Sequence, residues 1–218
     1  MWLLFWLACQ PDPVVSLDGD GPVVLCFHGA GGSSQGWTKG DKGSMVEALE
    51  AADFAVVCPS SDDRITGQWS ATNDASNVDV VAVDELLDEL DVAAGRPLVL
   101  LGHSNGGGFT GRYIGFGARA ADVAAVQLSN AAGLSPVLSD DAYQPATRFA
   151  FADCDQKVDS GDVRANVAVL EARGVVAETE RLDARYAALG DEDCHSFLDT
   201  SEEAIPFFDE AAAYGAGR

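Results

Sequence analysis

Positive charge is scarce in this sequence. Lysine and arginine contribute 13 residues against 35 aspartates and glutamates, which gives the 218-residue chain a formal net charge of −22. A surface of this sign repels phosphate backbones, so nucleic acids are excluded as partners. The charge also disfavours polyanionic substrates and favours neutral ones, and it helps to keep the protein in solution.

Long apolar runs are also missing, because no stretch of about 18 apolar residues occurs that could form a membrane-spanning helix. Hydrophobic residues nevertheless make up 47% of the chain. At this length they suffice for one substantial core and leave little room for a second domain.

The first residues have the composition of an export signal. Residues 2–8 are apolar, and they lead to Cys9 and a polar, proline-rich stretch at 10–13. This arrangement resembles a bacterial lipoprotein signal, in which Cys9 would carry the lipid anchor. A misassigned start codon and a hydrophobic N-terminal strand remain alternatives, because no lysine or arginine precedes the apolar stretch. We expect residues 1–12 to be a leader, residues 13–218 to form one domain, and the protein to lie outside the cytoplasm.

Apolar stretches without alternation occur between stretches whose apolar residues repeat at helical spacing. The former predict strands buried on both faces at 22–27, 54–58 and 97–101. Further strands are expected at 123–128, 148–152 and 175–182. The latter predict helices at 44–52, 77–93, 163–173 and 201–214, with another from the glycine-rich segment at 102–106 to about 117. Residues 14–17 and 22–27 flank a turn-rich segment and predict a β-hairpin. Together these elements predict a three-layer α/β/α sandwich with a mostly parallel sheet.

A Gly-His-Ser-Asn-Gly pentapeptide at 102–106 lies where the strand at 97–101 ends and a helix begins. It matches the G-x-S-x-G pattern of a nucleophile elbow, a sharp turn that presents a serine hydroxyl at the edge of a sheet. Side chains at 102 and 106 would collide across such a turn. The context indicates that Ser104 is a nucleophile, the alternative being a tight glycine-rich turn with an incidental serine.

A serine hydroxyl becomes a good nucleophile when an imidazole accepts its proton and a carboxylate orients that imidazole. The chain has three histidines. His28 lies in a glycine-rich loop, and His103 adjoins Ser104 on a turn that points neighbouring side chains apart. His195, between the last strand and the last helix, is left as the base.

The orienting acid is expected after a strand that lies between the serine and the histidine in the chain. The strand at 148–152 leads to Asp153 and Asp155, and an apolar valine three residues after Asp155 can anchor the loop as that carboxylate turns inward. We therefore choose Asp155, with Asp153 as the alternative. Asp159 is expected to be a surface or helix-capping residue.

Negative charge that develops on a substrate carbonyl needs preorganised N–H donors. The residue after the nucleophile, Asn105, supplies one backbone N–H, and Ala30 in the glycine-rich loop at 28–32 supplies the other. Glycine-rich loops can also bind phosphate, but the G-K-[ST] and G-x-G-x-x-G patterns are both absent here.

Together, residues 28–32, the Ser104 turn, Asp155 and His195 resemble the α/β-hydrolases. More narrowly, residues 104–107 and the segment at 79–84 resemble the poly(3-hydroxybutyrate) depolymerases and the feruloyl or acetyl-xylan esterases. The resemblance implies a catalytic α/β-hydrolase domain that cleaves small or polymeric esters through an acyl-enzyme on Ser104, with no metal or organic cofactor. Thioesterase, peptidase and cofactor-free perhydrolase activities share the same residues, and a catalytically inactive, lipid-anchored binding protein is a further alternative.

Three further predictions concern the surroundings of these residues. If the protein is exported, Cys154 and Cys194 should form a disulfide, because they adjoin the proposed acid and base, whose side chains must meet. Trp37 and Trp69 follow strand ends on the same side of the sheet and are candidates to line a substrate cleft, although large aromatic residues are more often part of a core. The segment at 131–145 is short and leaves little room for a lid, which favours short acyl chains.

Overall fold

Apolar strands form the middle of one sheet in the computed structural model, which describes residues 12–18, 20–63, 65–134, 145–191 and 193–215. These residues contribute seven strands: β1 (Val14–Ser16), β2 (Val23–Phe27), β3 (Ala55–Cys58), β4 (Leu98–His103), β5 (Val123–Ser129), β6 (Ala146–Phe151) and β7 (Ala177–Arg181). The order across the sheet is β1-β3-β2-β4-β5-β6-β7, and all neighbours are parallel except β1 and β3. The mostly parallel sheet is therefore confirmed. Cys9 and nearly all of the expected leader lie outside the described residues.

The N-terminal strand β1 does not pair with β2, so the predicted hairpin is wrong. Val14 instead pairs with Cys58 in an antiparallel register on β3. Both sides of β2 are occupied, by β3 and by β4, and all five of its residues are buried. The residues of β1 are half-buried or exposed. The more apolar strand gains more from a central position, which leaves β1 at the edge.

Helices cover both faces of the sheet. The described residues contain α1 (Gly40–Ala51), α2 (Val78–Glu89), α3 (Asn105–Phe116), α4 (Ser160–Ala172), α5 (Asp183–Leu189) and α6 (Ser201–Gly215). One core contains residues of α1 and α6, among them Leu49 and Phe208. The other contains residues of α2, α3 and α4, among them Leu87, Phe109 and Val163. The three-layer sandwich is thus confirmed. Among these helices, none combines the length and the apolar character that crossing a bilayer requires.

Several helices differ from the sequence prediction. Helix α2 ends at Glu89 instead of residue 93, and helix α4 begins at Ser160 instead of residue 163. Helix α1 begins at Gly40 instead of residue 44, and its N-terminus has no side-chain cap. Helix α5 was not predicted, because it has only seven residues and buries only Tyr186, which is too little to give a helical pattern of apolar residues.

The sheet order creates a crevice at its centre. From β2 the chain passes outward to β3, and it returns to the other side of β2 with β4. The carboxyl ends of β2 and β4 are therefore adjacent at the point where the order reverses, which is where ligands bind in open α/β sheets. The glycine-rich loop and the Ser104 turn both begin at this edge.

Candidate active site

Ser104 occupies a strained turn between β4 and α3. Its backbone has φ 52° and ψ −119°, a region that residues with a side chain rarely adopt. The flanking glycines are required by close approach. A Cβ on Gly102 would lie 2.6 Å from the Cα of Gly107, and a Cβ on Gly106 would lie 2.2 Å from the carbonyl oxygen of Phe27. The turn therefore has the tight geometry that the pentapeptide predicted.

Three side chains form one hydrogen-bonded row at the sheet edge. The Nε2 atom of His195 lies 2.8 Å from the Oγ atom of Ser104. Its Nδ1 atom lies 2.8 Å from Oδ2 of Asp155 and 3.0 Å from Oδ1. These partners assign the tautomer: Nδ1–H donates to the carboxylate, and Nε2 accepts the hydroxyl proton. A base that is aimed at a serine and oriented by an acid has the arrangement that nucleophilic catalysis needs.

The Asp155 carboxylate is held in place from its own loop. Its side chain is only 1% exposed. Its Oδ1 atom accepts the backbone N–H groups of Lys157 at 2.8 Å and Val158 at 3.1 Å. The loop therefore holds the carboxylate by contacts that do not involve the imidazole.

The two other acids considered from the sequence lie elsewhere. Asp153 is exposed and forms ion pairs with Arg164 and Arg181. A hydrogen bond from the Ser160 hydroxyl and these arginines hold the pKa of Asp153 below its usual value. Asp159 caps α4 by accepting the N–H of Gly161 at 2.7 Å. Of the three carboxylates, Asp155 is the one that reaches His195.

A disulfide joins the loops of the acid and the base. Cys154 and Cys194 are bonded, with their Cα atoms 5.6 Å apart, which confirms the predicted pair. The bond lies one residue before Asp155 and one residue before His195. The remaining described cysteines, Cys26 and Cys58, are buried free thiols. A disulfide is typical of an oxidising compartment, and this one points to an extracytoplasmic location.

The disulfide predicts a simple change in thiol count. Because Cys154→Ser leaves Cys194 without a partner, the variant should show one more free thiol per molecule than the wild type when both are titrated unfolded without reductant. Loss of the cross-link should also lower the free energy of unfolding by about 2–4 kcal/mol. One free thiol fewer than in the wild type would mean that the two cysteines are not bonded.

The two backbone N–H groups predicted as oxyanion donors lie in the glycine-rich loop and at the start of α3. Among the described residues, no group accepts a hydrogen bond from the N–H of Ala30 or of Asn105. Asn105 is the first residue of α3, so its N–H has no partner within the helix. The neighbouring Gly31 N–H is occupied, because it donates to the carbonyl of Thr66 at 3.0 Å. Within the described part of the chain, the N–H groups of Ala30 and Asn105 are thus available to donate to a ligand.

His28 holds the glycine-rich loop. Its ring is fully buried, its Nδ1–H donates to the carbonyl of Gly29 at 2.9 Å, and its Nε2 accepts the N–H of Ser61 at 3.2 Å. Burial lowers the pKa of this imidazole and keeps it neutral. His28 therefore has a supporting position away from the row.

Both tryptophans proposed for the cleft lie in the core instead. Trp37 is 0% exposed and Trp69 is 3% exposed. The Trp69 indole stacks on Phe109, and its Nε1–H donates to the carbonyl of His28 at 2.8 Å. Trp69 thus holds the glycine-rich loop through a hydrogen bond to its first residue, and Trp37 packs against Phe197. Stacking on Phe109 and packing on Phe197 remove these large rings from water, which is favourable, so neither ring lines the cleft.

The cleft beside Ser104 has a volume of about 360 Å³. Its described lining is mostly polar and includes Ala30, His103, Ser104, Lys157, Asp191 and His195. Most of the segment at 131–145 lies outside the described residues, so the expected absence of a lid stays a prediction. Within the described ranges, no three His, Cys, Asp or Glu side chains are grouped closely enough to hold a metal ion.

Sequence reasoning set His103 aside, yet its ring lies behind His195 at a centroid distance of 5.6 Å. Its Nε2 lies 3.0 Å from the carbonyl oxygen of His195. Burial, together with the nearby Lys42 ammonium, lowers the pKa of His103 to about 3. The imidazole is therefore neutral and donates through Nε2. Its position at the carboxyl end of a central strand was the available signal for a role near the site.

The buried His103 predicts a loss of stability in mild acid. Between about pH 6.5 and pH 3 the unfolded chain binds a proton at this imidazole and the folded protein does not, so the free energy of unfolding falls as pH decreases. From about pH 7.5 to pH 5 this histidine alone should remove about 2 kcal/mol. Urea titrations of the wild type and of His103→Gln measure it. Equal losses in both proteins would contradict the assignment.

The α/β-hydrolase class is defined by a mostly parallel sheet and by a serine, a histidine and an acid that meet at the carboxyl ends of its strands. This chain belongs to the alpha/beta hydrolase family, whose family model matches residues 23–216.

Solved structures agree with this fold. The Bacillus cereus carboxylesterase superposes with a TM-score of 0.63 at 16% identity, over 96% of this chain and 98% of that protein. Esterase PE8 gives a TM-score of 0.61 at 14% identity, over 94% and 96% of the two chains. SOBER1 of Arabidopsis thaliana gives 0.59 at 14% identity, over 88% and 99%. At these identities the likeness shows the fold alone. No curated protein matches the sequence.

Proposed function

We propose that the protein hydrolyses carboxylic esters through an acyl-enzyme on Ser104. The observation that carries the proposal is the row in which His195 lies 2.8 Å from the Ser104 hydroxyl and 2.8 Å from the Asp155 carboxylate. Esterases among the proteins of the same fold support ester substrates.

In this proposal each group of the row has a separate role. His195 Nε2 takes the hydroxyl proton while Ser104 Oγ attacks the ester carbonyl, and Asp155 stabilises the imidazolium. The N–H groups of Ala30 and Asn105 bind the oxyanion of the tetrahedral intermediate. His195 then gives its proton to the departing alcohol, which leaves the acyl group on Ser104. Water then attacks the acyl group in the same way, with His195 as the base, and the carboxylic acid is released from Ser104.

Small or polar acyl groups fit the cleft best. Apart from Ala30, its described lining offers no apolar side chain to a long alkyl chain. Each buried methylene would need such contacts to gain its share of about 0.8 kcal/mol. Short-chain, hydroxyacyl or aryl esters are therefore the proposed substrates, in line with the resemblance to poly(3-hydroxybutyrate) depolymerases and feruloyl esterases. An enzyme outside the cytoplasm, anchored through Cys9 or secreted, could reach polymeric esters of this kind.

A panel of p-nitrophenyl esters tests this proposal. We expect kcat/KM to be highest for acetate and butyrate and to fall with longer chains, because the chain gains no apolar contacts. Feruloyl and hydroxybutyrate esters are assayed in the same panel. A thioester and an anilide are added to separate esterase activity from thioesterase and peptidase activity. Faster turnover of long-chain esters would contradict the acyl preference. Absence of any turnover by folded protein would favour the inactive binding protein.

A further inference from the structure

The segment between α5 and α6 contains His195 and is called the His195 loop. Two of its consecutive carbonyl groups accept hydrogen bonds from buried side chains outside the loop. His103 Nε2–H donates to the carbonyl of His195 at 3.0 Å. Asn130 Nδ2–H donates to the carbonyl of Ser196, also at 3.0 Å. The donors are 8% and 0% exposed. Hydrogen bonds of this kind lie in a low-dielectric setting, where losing a donor is costly for the carbonyl that it pairs.

Both donors come from the strands that flank the nucleophile. His103 is the last residue of β4 and directly precedes Ser104. Asn130 directly follows β5, whose last residue, Ser129, accepts the N–H of Ser104 at 3.1 Å. The His195 loop is thus hydrogen-bonded to the ends of β4 and β5, which also hold Ser104.

Each donor is itself fixed. The His103 ring packs edge-to-face with Phe197 and has Gly29 on another side, where an added Cβ would lie 3.0 Å from Nδ1. Asn130 adopts φ 48° and donates its backbone N–H to the carbonyl of Ala150 at 2.8 Å. Tyr186 hydrogen-bonds to the Asn130 amide and to the carbonyl of Ser196.

We propose that His103 and Asn130 are positioning residues that hold His195 within hydrogen-bonding distance of Ser104. The proposal rests on the proposed function, and it adds two residues that act through the backbone of the loop, although the His103 side chain also lines the cleft. The disulfide and Asp155 restrain the base from the acid loop, and His103 and Asn130 restrain it from the sheet. Because both donors act on backbone carbonyls, they set the place of the loop and leave the imidazole free to exchange its proton.

Four variants separate positioning from stability. His103→Leu removes the donor at similar size, and His103→Gln keeps an N–H donor at similar reach. Asn130→Gly removes the amide while tolerating the positive φ. Leu87→Ala truncates a fully buried core residue on α2 and serves as the control for lost stability. For each, kcat and KM for p-nitrophenyl acetate, the rate of inactivation by a fluorophosphonate, and a crystal structure are measured.

We expect His103→Leu and Asn130→Gly to lower kcat about 10-fold to 100-fold with little change in KM, since a displacement near 1 Å can cost that much. The inactivation rate should fall by the same factor, His103→Gln should recover most of the activity, and Leu87→Ala should keep its kcat. In the His103→Leu structure, His195 should move away from Ser104. An unmoved His195 in that structure, or equal losses in the Gln and Leu variants, would overturn the proposal. The structural comparison decides it even if the wild type hydrolysed no ester.

Discussion

Ser104→Ala is expected to lower kcat about 10⁶-fold, to the slow rate that oxyanion stabilisation and binding alone support. His195 Nε2 lies within hydrogen-bonding distance of the Ser104 hydroxyl oxygen. Without that oxygen, no other nucleophile is placed next to the base. The measurement is steady-state hydrolysis of p-nitrophenyl acetate by protein of verified fold. Residual activity within 100-fold of wild type would assign the nucleophile to another residue.

Ser104→Gly provides the matched control for this prediction. Both variants lack the hydroxyl and should be equally inactive. They should differ in stability, because glycine adopts φ 52° without the strain that alanine retains. We expect the glycine variant to exceed the alanine variant in free energy of unfolding by about 1 kcal/mol. An alanine variant as stable as the glycine variant would argue against strain at the turn.

Asp155→Asn is expected to lower kcat about 10⁴-fold while the fold is kept, because an amide cannot stabilise the imidazolium and favours the wrong tautomer of the base. Asp155 accepts the Nδ1–H of His195 through a carboxylate that is 1% exposed. The loss should appear in kcat, since the carboxylate does not line the cleft.

Asp153→Asn tests the same loop without touching the row. Asp153 forms exposed ion pairs with Arg164 and Arg181, which contribute little to stability. This variant should therefore hydrolyse esters at close to the wild-type rate. If Asp153→Asn were the inactive variant and Asp155→Asn the active one, the assignment of the acid would be reversed.

Much of the fold could be predicted from the sequence, because a strand buried on both faces leaves a continuous apolar stretch. The central strands β2, β3 and β4 are all of this kind. The position of β1 could not be predicted, since its half-exposed residues carry no information on the partner strand. Proximity in the chain favoured a hairpin, and competition for the central positions of the sheet decided otherwise.

The site divides in a similar way. Glycines around Ser104 are required by contacts across a tight turn, so the sequence records them, and a chain with three histidines leaves few choices for the base. The burial of Trp37 and Trp69 depends on what packs above each ring, which no local pattern reports. The contacts of His103 and Asn130 with the His195 loop join residues 92 and 66 positions apart. Such contacts follow from the sheet order, which only the folded structure provides.

The most direct test of the row and of the Ala30 and Asn105 N–H groups is a crystal structure of the protein after reaction with a fluorophosphonate. A bond from phosphorus to Ser104 Oγ is predicted, with the phosphoryl oxygen within hydrogen-bonding distance of the Ala30 and Asn105 N–H groups and His195 still bound to Asp155. Phosphorus bonded to a different side chain, or a phosphoryl oxygen turned away from both N–H groups, would contradict it.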